Sequence, residues 1–192
     1  MEADTQTIVL IVLAVLAVAA IALFAARSSR RRHAGLKERF GPEYERAIEE
    51  HGSVAKAERE LAAREKRVQH LKLKPLSEED RVRYEADWAQ VQTRFVDDPS
   101  GAVQEADDLI KKVMLARGYS AEHFDQRVAD LSVEHPTVVH HYRAARVLAE
   151  ANREGRANTE ELRQAFVHYR ALFASLLEPN QQTEPQLQEA HV

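Results

Sequence analysis

From Ile8 to Ala26, nineteen consecutive residues carry no polar side chain, and the run gives way at once to Arg27, Arg30, Arg31 and Arg32. Coiled as a helix, that length rises roughly 28 Å, close to the ~30 Å hydrocarbon thickness of a bilayer. Twelve of the nineteen are Ile, Val, Leu or Phe; at ~0.3–0.6 kcal/mol each, their insertion is favourable by roughly 5 kcal/mol. A helix in a water-facing core keeps a wet stripe at helical period, and this run has none. The sequence therefore predicts an uncleaved transmembrane helix over residues 8–26. A secretory signal is the alternative, and its cleavage would release a secreted helical domain. The segment fits that alternative poorly: "MEADTQT" is acidic, the run is too long, and "LFAARSS" puts Leu23 or Phe24 where a small side chain is wanted.

The arginines after the run set an expected orientation, because Lys and Arg flanking a span stay on the cytoplasmic side. The expectation is a single-pass protein of the cell membrane, with residues 1–7 outside and the C-terminal domain cytoplasmic. The bilayer is then the first expected partner, and the same arginines can meet anionic headgroups at about 1 kcal/mol each. Ala22 and Ala26 form a small-xxx-small pair, the basis for expecting a homo-oligomer through the span.

Charge is unevenly spread. Residues 1–26 carry −2 and residues 27–39 carry +5, so within a total of −4 the remaining body carries −7. An acidic body behind a basic collar argues against nucleic acid as a partner, since such binders spread positive charge over the folded surface. Cysteine is absent, which removes disulfides and thiolate chemistry. Arginine outnumbers lysine, 20 to 7, a bias expected of a GC-rich bacterial genome.

Beyond a basic juxtamembrane segment at 27–41, helical patterns follow one another, punctuated by Pro42, Pro75, Pro99 and Pro136. Residues 42–74 read as a long charged helix, with Gly52-Ser53 the place where it weakens or divides. Val54, Ala57, Leu61, Val68 and Leu71 make a thin heptad seam, a weak coiled-coil signal, interrupted by Arg64 in the middle. Packing of that seam along the bundle, or service as a stalk, is expected over self-association. Residues 75–178 read as a helical bundle. Ser77 caps a helix whose Tyr84, Trp88, Val91 and Phe95 share one face. Asp98 and Pro99 start the next, lined by Val103, Ala106, Ile110 and Val113 and closed by Gly118. Ser120 is expected to cap a short helix through about Asp130. Pro136 marks a helix start, and the last helix begins at Thr159 with Leu162, Phe166, Tyr169, Phe173 and Leu176 on its apolar face. Residues 179–192 lack the apolar content to pack and are expected to be a disordered tail. With no alternating β-branched run and no repeat, the fold class is all-α: one N-terminal transmembrane helix, a long charged helix and a cytoplasmic bundle of five or six helices.

Chemistry is sparse. The glycines are isolated singles, so no phosphate-cradling loop is present, and no serine sits in a nucleophile elbow. Histidine is the surplus residue, nine in all. "EHPTVVHHY" holds His135, His140 and His141, yet a zinc helix presents histidines at i and i+4, and these miss that spacing. His123 or His168 could complete a site across the bundle, which keeps a histidine-based metal-binding sensor or hydrolase as an alternative. The pairs Asp97-Asp98 and Asp107-Asp108 read as one cap and solvated charge, with Arg94 and Arg117 as candidate ion-pair partners.

The stretches "RFGPEYERA", "WAQVQTRFVDDPSGAVQEADDLI", "RGYSAEHFDQRVADLSVEHPTVVHHYR" and "TEELRQAFVHYRALF" resemble an uncharacterised family of bacterial single-pass membrane proteins. The resemblance covers about residues 37–177 and implies one folded unit behind an anchor, with no reaction, cofactor or site residue. The sequence reading is thus a membrane-anchored helical scaffold or interaction protein at the cytoplasmic face. It has a protein partner, no enzymatic activity, no cofactor, and no residue assigned as catalytic, cofactor-binding or metal-ligating.

Overall fold

The computed structural model describes residues 16, 19–21, 23, 24, 27, 28, 31–120 and 123–178. Among these the regular secondary structure is all helical, with no strand. Residues 31–40 form a leading helical segment. Seven helices follow: α1 Pro42–His51, α2 Val54–His70, α3 Glu78–Arg94, α4 Pro99–Ala116, α5 Phe124–Glu134, α6 Val139–Arg153 and α7 Thr159–Leu177.

The main core is built by α3 to α7. Helix α7 packs on α6 and α4, and α4 on α3. The apolar faces read from the sequence point inward: Val103, Ala106, Ile110 and Val113 of α4 are fully buried, as are Tyr169, Leu172 and Leu176 of α7. Trp88 stacks between Phe166 and Phe173, with ring centroids 5.0 and 4.7 Å away, so α3 is pinned to α7 by aromatic area and ring geometry together. Helix starts follow capping chemistry. Ser77 accepts from the Asp80 amide, Asp98 accepts from the Gly101 amide ahead of Pro99, and Asn158 with Glu161 forms a reciprocal capping box. Gly118 ends α4 at φ 91°, and a Cβ there would lie 2.6 Å from the Lys72 carbonyl oxygen. Glycine is needed for both the left-handed turn and the close backbone approach.

The long charged helix expected over 42–74 is divided. Gly52 takes a left-handed conformation at φ 71°, its amide bonds the Ile48 carbonyl, and the chain reverses into α2. The expected weak point is a hairpin turn. Leu36, Phe40, Tyr44, Ala47, Ala57, Leu61, Val68 and Val133 form a second, smaller core. The heptad seam therefore packs within its own chain, while Val54 at its start stays 42% exposed. Tyr44 Oη donates to Glu58 Oε1 at 3.0 Å, tying α1 to α2, and Arg39 pairs with Glu65, holding the leading segment to α2. Two further expectations shift: α5 starts at Phe124 with His123 at its cap rather than from Ser120, and α6 starts at Val139 after a turn at Pro136.

The transmembrane expectation is corrected. Among the described residues no helix is long and apolar enough to cross a membrane. The physical reason is charge on both of the longest helices: α4, with 18 residues, carries Glu105, Asp107, Asp108, Lys111 and Lys112, and α7, with 19, carries Glu160, Glu161, Arg163 and Arg170. The placement as a single-pass cell-membrane protein, N-terminus outside and C-terminal domain cytoplasmic, is therefore not supported. Of the run 8–26, only residues 16, 19–21, 23 and 24 are described; Ala22, Ala26, residues 1–7 and the tail 179–192 lie outside the described residues.

Replacing Trp88 by alanine removes a buried aromatic from between two rings. Urea unfolding followed by circular dichroism should show a loss of about 3–5 kcal/mol. Gly118→Ala should cost about 1–3 kcal/mol by the same measurement, because strain and contact act together.

Candidate functional site

The two cores meet along a polar seam. Helix α2 lies against α5, and Val133 is the buried α5 residue that joins the hairpin core. Ion pairs make the rest of the join. Arg67 Nε donates to Asp130 Oδ1 at 2.8 Å, and the Asp130 side chain is 1% exposed. Arg143 of α6 grips Glu43 of α1 with both Nη groups, at 2.5 and 2.7 Å, and the Glu43 side chain is also buried. Buried carboxylates need such partners, because stripping water from a charge costs several kcal/mol.

Between hairpin and bundle lies a cleft of about 710 Å³. Helices α1 and α2 contribute Arg46, Glu50, His51, Glu60, Arg64 and Arg67; α5 contributes Phe124, Asp125, Gln126, Val128 and Ala129; α6 contributes Arg143, Ala144, Arg146 and Val147. Five of the chain's 20 arginines thus line one cavity. They are not equivalent. Arg143 is occupied by Glu43, and Arg146 is held by Glu150 at 3.2 Å while its guanidinium lies over the Phe124 ring at 5.4 Å. Arg64 is buried, its side chain 9% exposed; its one hydrogen bond among the described residues runs from Nε to Glu60 at 3.1 Å. Arg67 likewise spends only Nε. His51 Nε2 is buried with no hydrogen-bond partner among the described residues. The floor is apolar in places, and Val147 stays 68% exposed. The arrangement can bind an anion carried on an apolar body.

The histidines singled out from sequence divide. His123 stands at the N-cap position of α5 without a side-chain capping hydrogen bond, and it is exposed. His135 lies at the end of α5, with Nδ1 2.8 Å from Ser175 Oγ on α7; burial, then the positive charge of Arg117, lowers its pKa from 6.5 to about 4. His140, His141 and His168 do come together: the His140 and His141 rings are 3.9 Å apart, and His141 Nδ1 lies 2.8 Å from His168 Nδ1. That distance is a hydrogen bond between imidazoles, one donating and one accepting. Among the described residues no group of three or more His, Asp or Glu side chains is placed to hold a metal ion.

The aspartates also part company. Asp98 is the cap and pairs with Arg94 at 2.9 Å. Asp107, expected to be solvated, is 3% exposed. It accepts from Tyr169 Oη at 2.9 Å and Lys111 Nζ at 2.8 Å, with Arg153 at 3.4 Å. Arg117 is buried and donates to the Leu176 carbonyl at 2.6 Å, closing the C-terminal end of α7. The cleft arginines were the residues sequence reasoning missed. Their signal was Arg64, a charge set in an apolar seam between Leu61 and Val68.

The lowered pKa of His135 makes stability depend on pH with a defined sign. Below about pH 6.5 the unfolded chain takes up a proton that the folded site refuses, so stability present at neutral pH is lost as pH falls toward about 4. His141 and His168, lowered by burial and by neighbouring imidazoles, act in the same direction. Urea midpoints measured from pH 8 to 4 should fall steeply below pH 6.5. The His135→Gln variant, scaled to its own value at pH 8, should show a shallower fall, smaller by up to about 3 kcal/mol.

Comparison of the chain with protein-family models, with curated proteins and with solved structures found no match.

Proposed function

We propose that this chain is a helical interaction protein that binds a partner protein in the cleft between hairpin and bundle, without catalysing a reaction. The observation that carries the reading is the buried Arg64, whose guanidinium faces a cavity and spends only one donor within the protein. Glu60 balances its charge through Nε alone, so the terminal donors can take an acceptor that arrives in the cleft. Val147 beside it supplies exposed apolar surface for a partner to cover. The cleft arises where two small cores abut, a place where binding sites commonly form. The histidine and aspartate clusters elsewhere are engaged with one another or with neighbouring side chains, as structural networks are.

A photo-reactive residue placed at Val147 in the full chain tests this reading in cells. It should give a discrete protein adduct that excess unmodified chain competes away, while the same residue at Val96, exposed at the end of α3, gives none. Equal labelling from both positions, or none from Val147, rules the cleft out as the contact site.

A further inference from the structure

We infer that the cleft receives an acidic helical segment of the partner, with two carboxylates about one turn apart seated on Arg64 and Arg67; this rests on the reading of the cleft as the contact site. Arg64 and Arg67 stand three residues apart on α2 and both line the cavity. Each is held through Nε, Arg64 by Glu60 and Arg67 by Asp130. The protein therefore fixes both guanidinium planes while the terminal Nη1–Nη2 edges make no hydrogen bond among the described residues. Such an edge accepts one carboxylate in fork geometry. Residues three apart on a helix sit roughly 5–6 Å from each other, which is also the spacing of two acidic side chains at i and i+3 or i+4 on a facing helix. Arg46, across the hairpin, adds a cation with no ion pair among the described residues.

The rest of the lining decides what carries the negative charge. Glu50, Glu60 and Asp125 border the same cavity. A phosphate monoester, at about −1.5 to −2, would have to sit against three carboxylates, whereas two single charges can be distributed one to each fork. Val147 offers exposed apolar surface alongside, so the complementary segment is amphipathic, laid into a groove by its apolar face and fixed in register by its acids.

The probe is a random 15-residue peptide library displayed on phage and panned against the full chain. Enriched sequences should carry two Glu or Asp three or four positions apart beside an apolar residue. Synthesised singly, they should lose about tenfold or more in affinity for Arg64→Gln, less for Arg46→Gln, and about tenfold when their own paired acids become Gln. Millimolar inorganic phosphate should leave them bound. Enrichment without paired acids, no enrichment, indifference to the acid replacements, or displacement by millimolar phosphate overturns the inference. Should Arg64→Gln fail to fold by circular dichroism, Arg46→Gln, an exposed change, and the Gln peptides carry the decision. The Val147 adduct separates the two failures: an adduct with acid-free peptides sinks the carboxylate assignment alone, and loss of the adduct sinks the contact site itself.

Discussion

The fold depends on two buried carboxylates that each hold an arginine from the other half of the chain. Asp130 on α5 takes Arg67 of the hairpin, and Glu43 of the hairpin takes Arg143 on α6. Apolar contact between the halves is thin, with Val133 in the hairpin core and Leu73 touching both cores. A seam made of ion pairs behaves differently from one made of leucines. Removing one partner strands a charge in the interior, and the loss runs to about 3–5 kcal/mol. Guanidinium groups also keep their need for acceptors, so the halves cannot collapse into a dry interface. The cleft is the space that remains.

The same logic sorts the polar residues elsewhere. Asp107 is buried inside the bundle, yet Tyr169, Lys111 and Arg153 converge on it, and burial together with that carboxylate drives the Tyr169 phenol pKa far upward. Arg117 is buried against carbonyls at the end of α7, where a cation offsets the negative pole of the helix. His141 and His168 answer each other's hydrogen-bonding needs. In these clusters the chemistry is spent on holding helices together. Arg64 and Arg67 differ because both line the cavity and each spends only Nε on a partner among the described residues.

Much of the bundle was legible beforehand because its signals are local. A Ser or Asp followed by an amphipathic run marks a helix start wherever the run packs, and Ser77 and Asp98 both cap as their chemistry requires. Helical periodicity placed Trp88, Ile110 and Tyr169 inside without saying what they would touch. The Ser120 start failed for a related reason: serine caps are interchangeable in sequence, and the chain winds into α5 only from Phe124. The expected membrane crossing rested on residues 8–26 alone, and the described helices are too charged to supply a span in its place.

What the sequence by itself determined is the helical class, the caps at Ser77 and Asp98, the apolar faces and Gly52-Ser53 as a weak point, since each follows from interactions within a few residues of the chain. Tertiary structure alone decided that the hairpin folds back on the bundle, that Asp107 is buried, and that His141 meets His168. It also decided that arginines from α1, α2 and α6 face one cavity. Those pairings join residues 27 to 100 positions apart. No local propensity encodes them, because which buried charge meets which partner is settled only when whole helices pack.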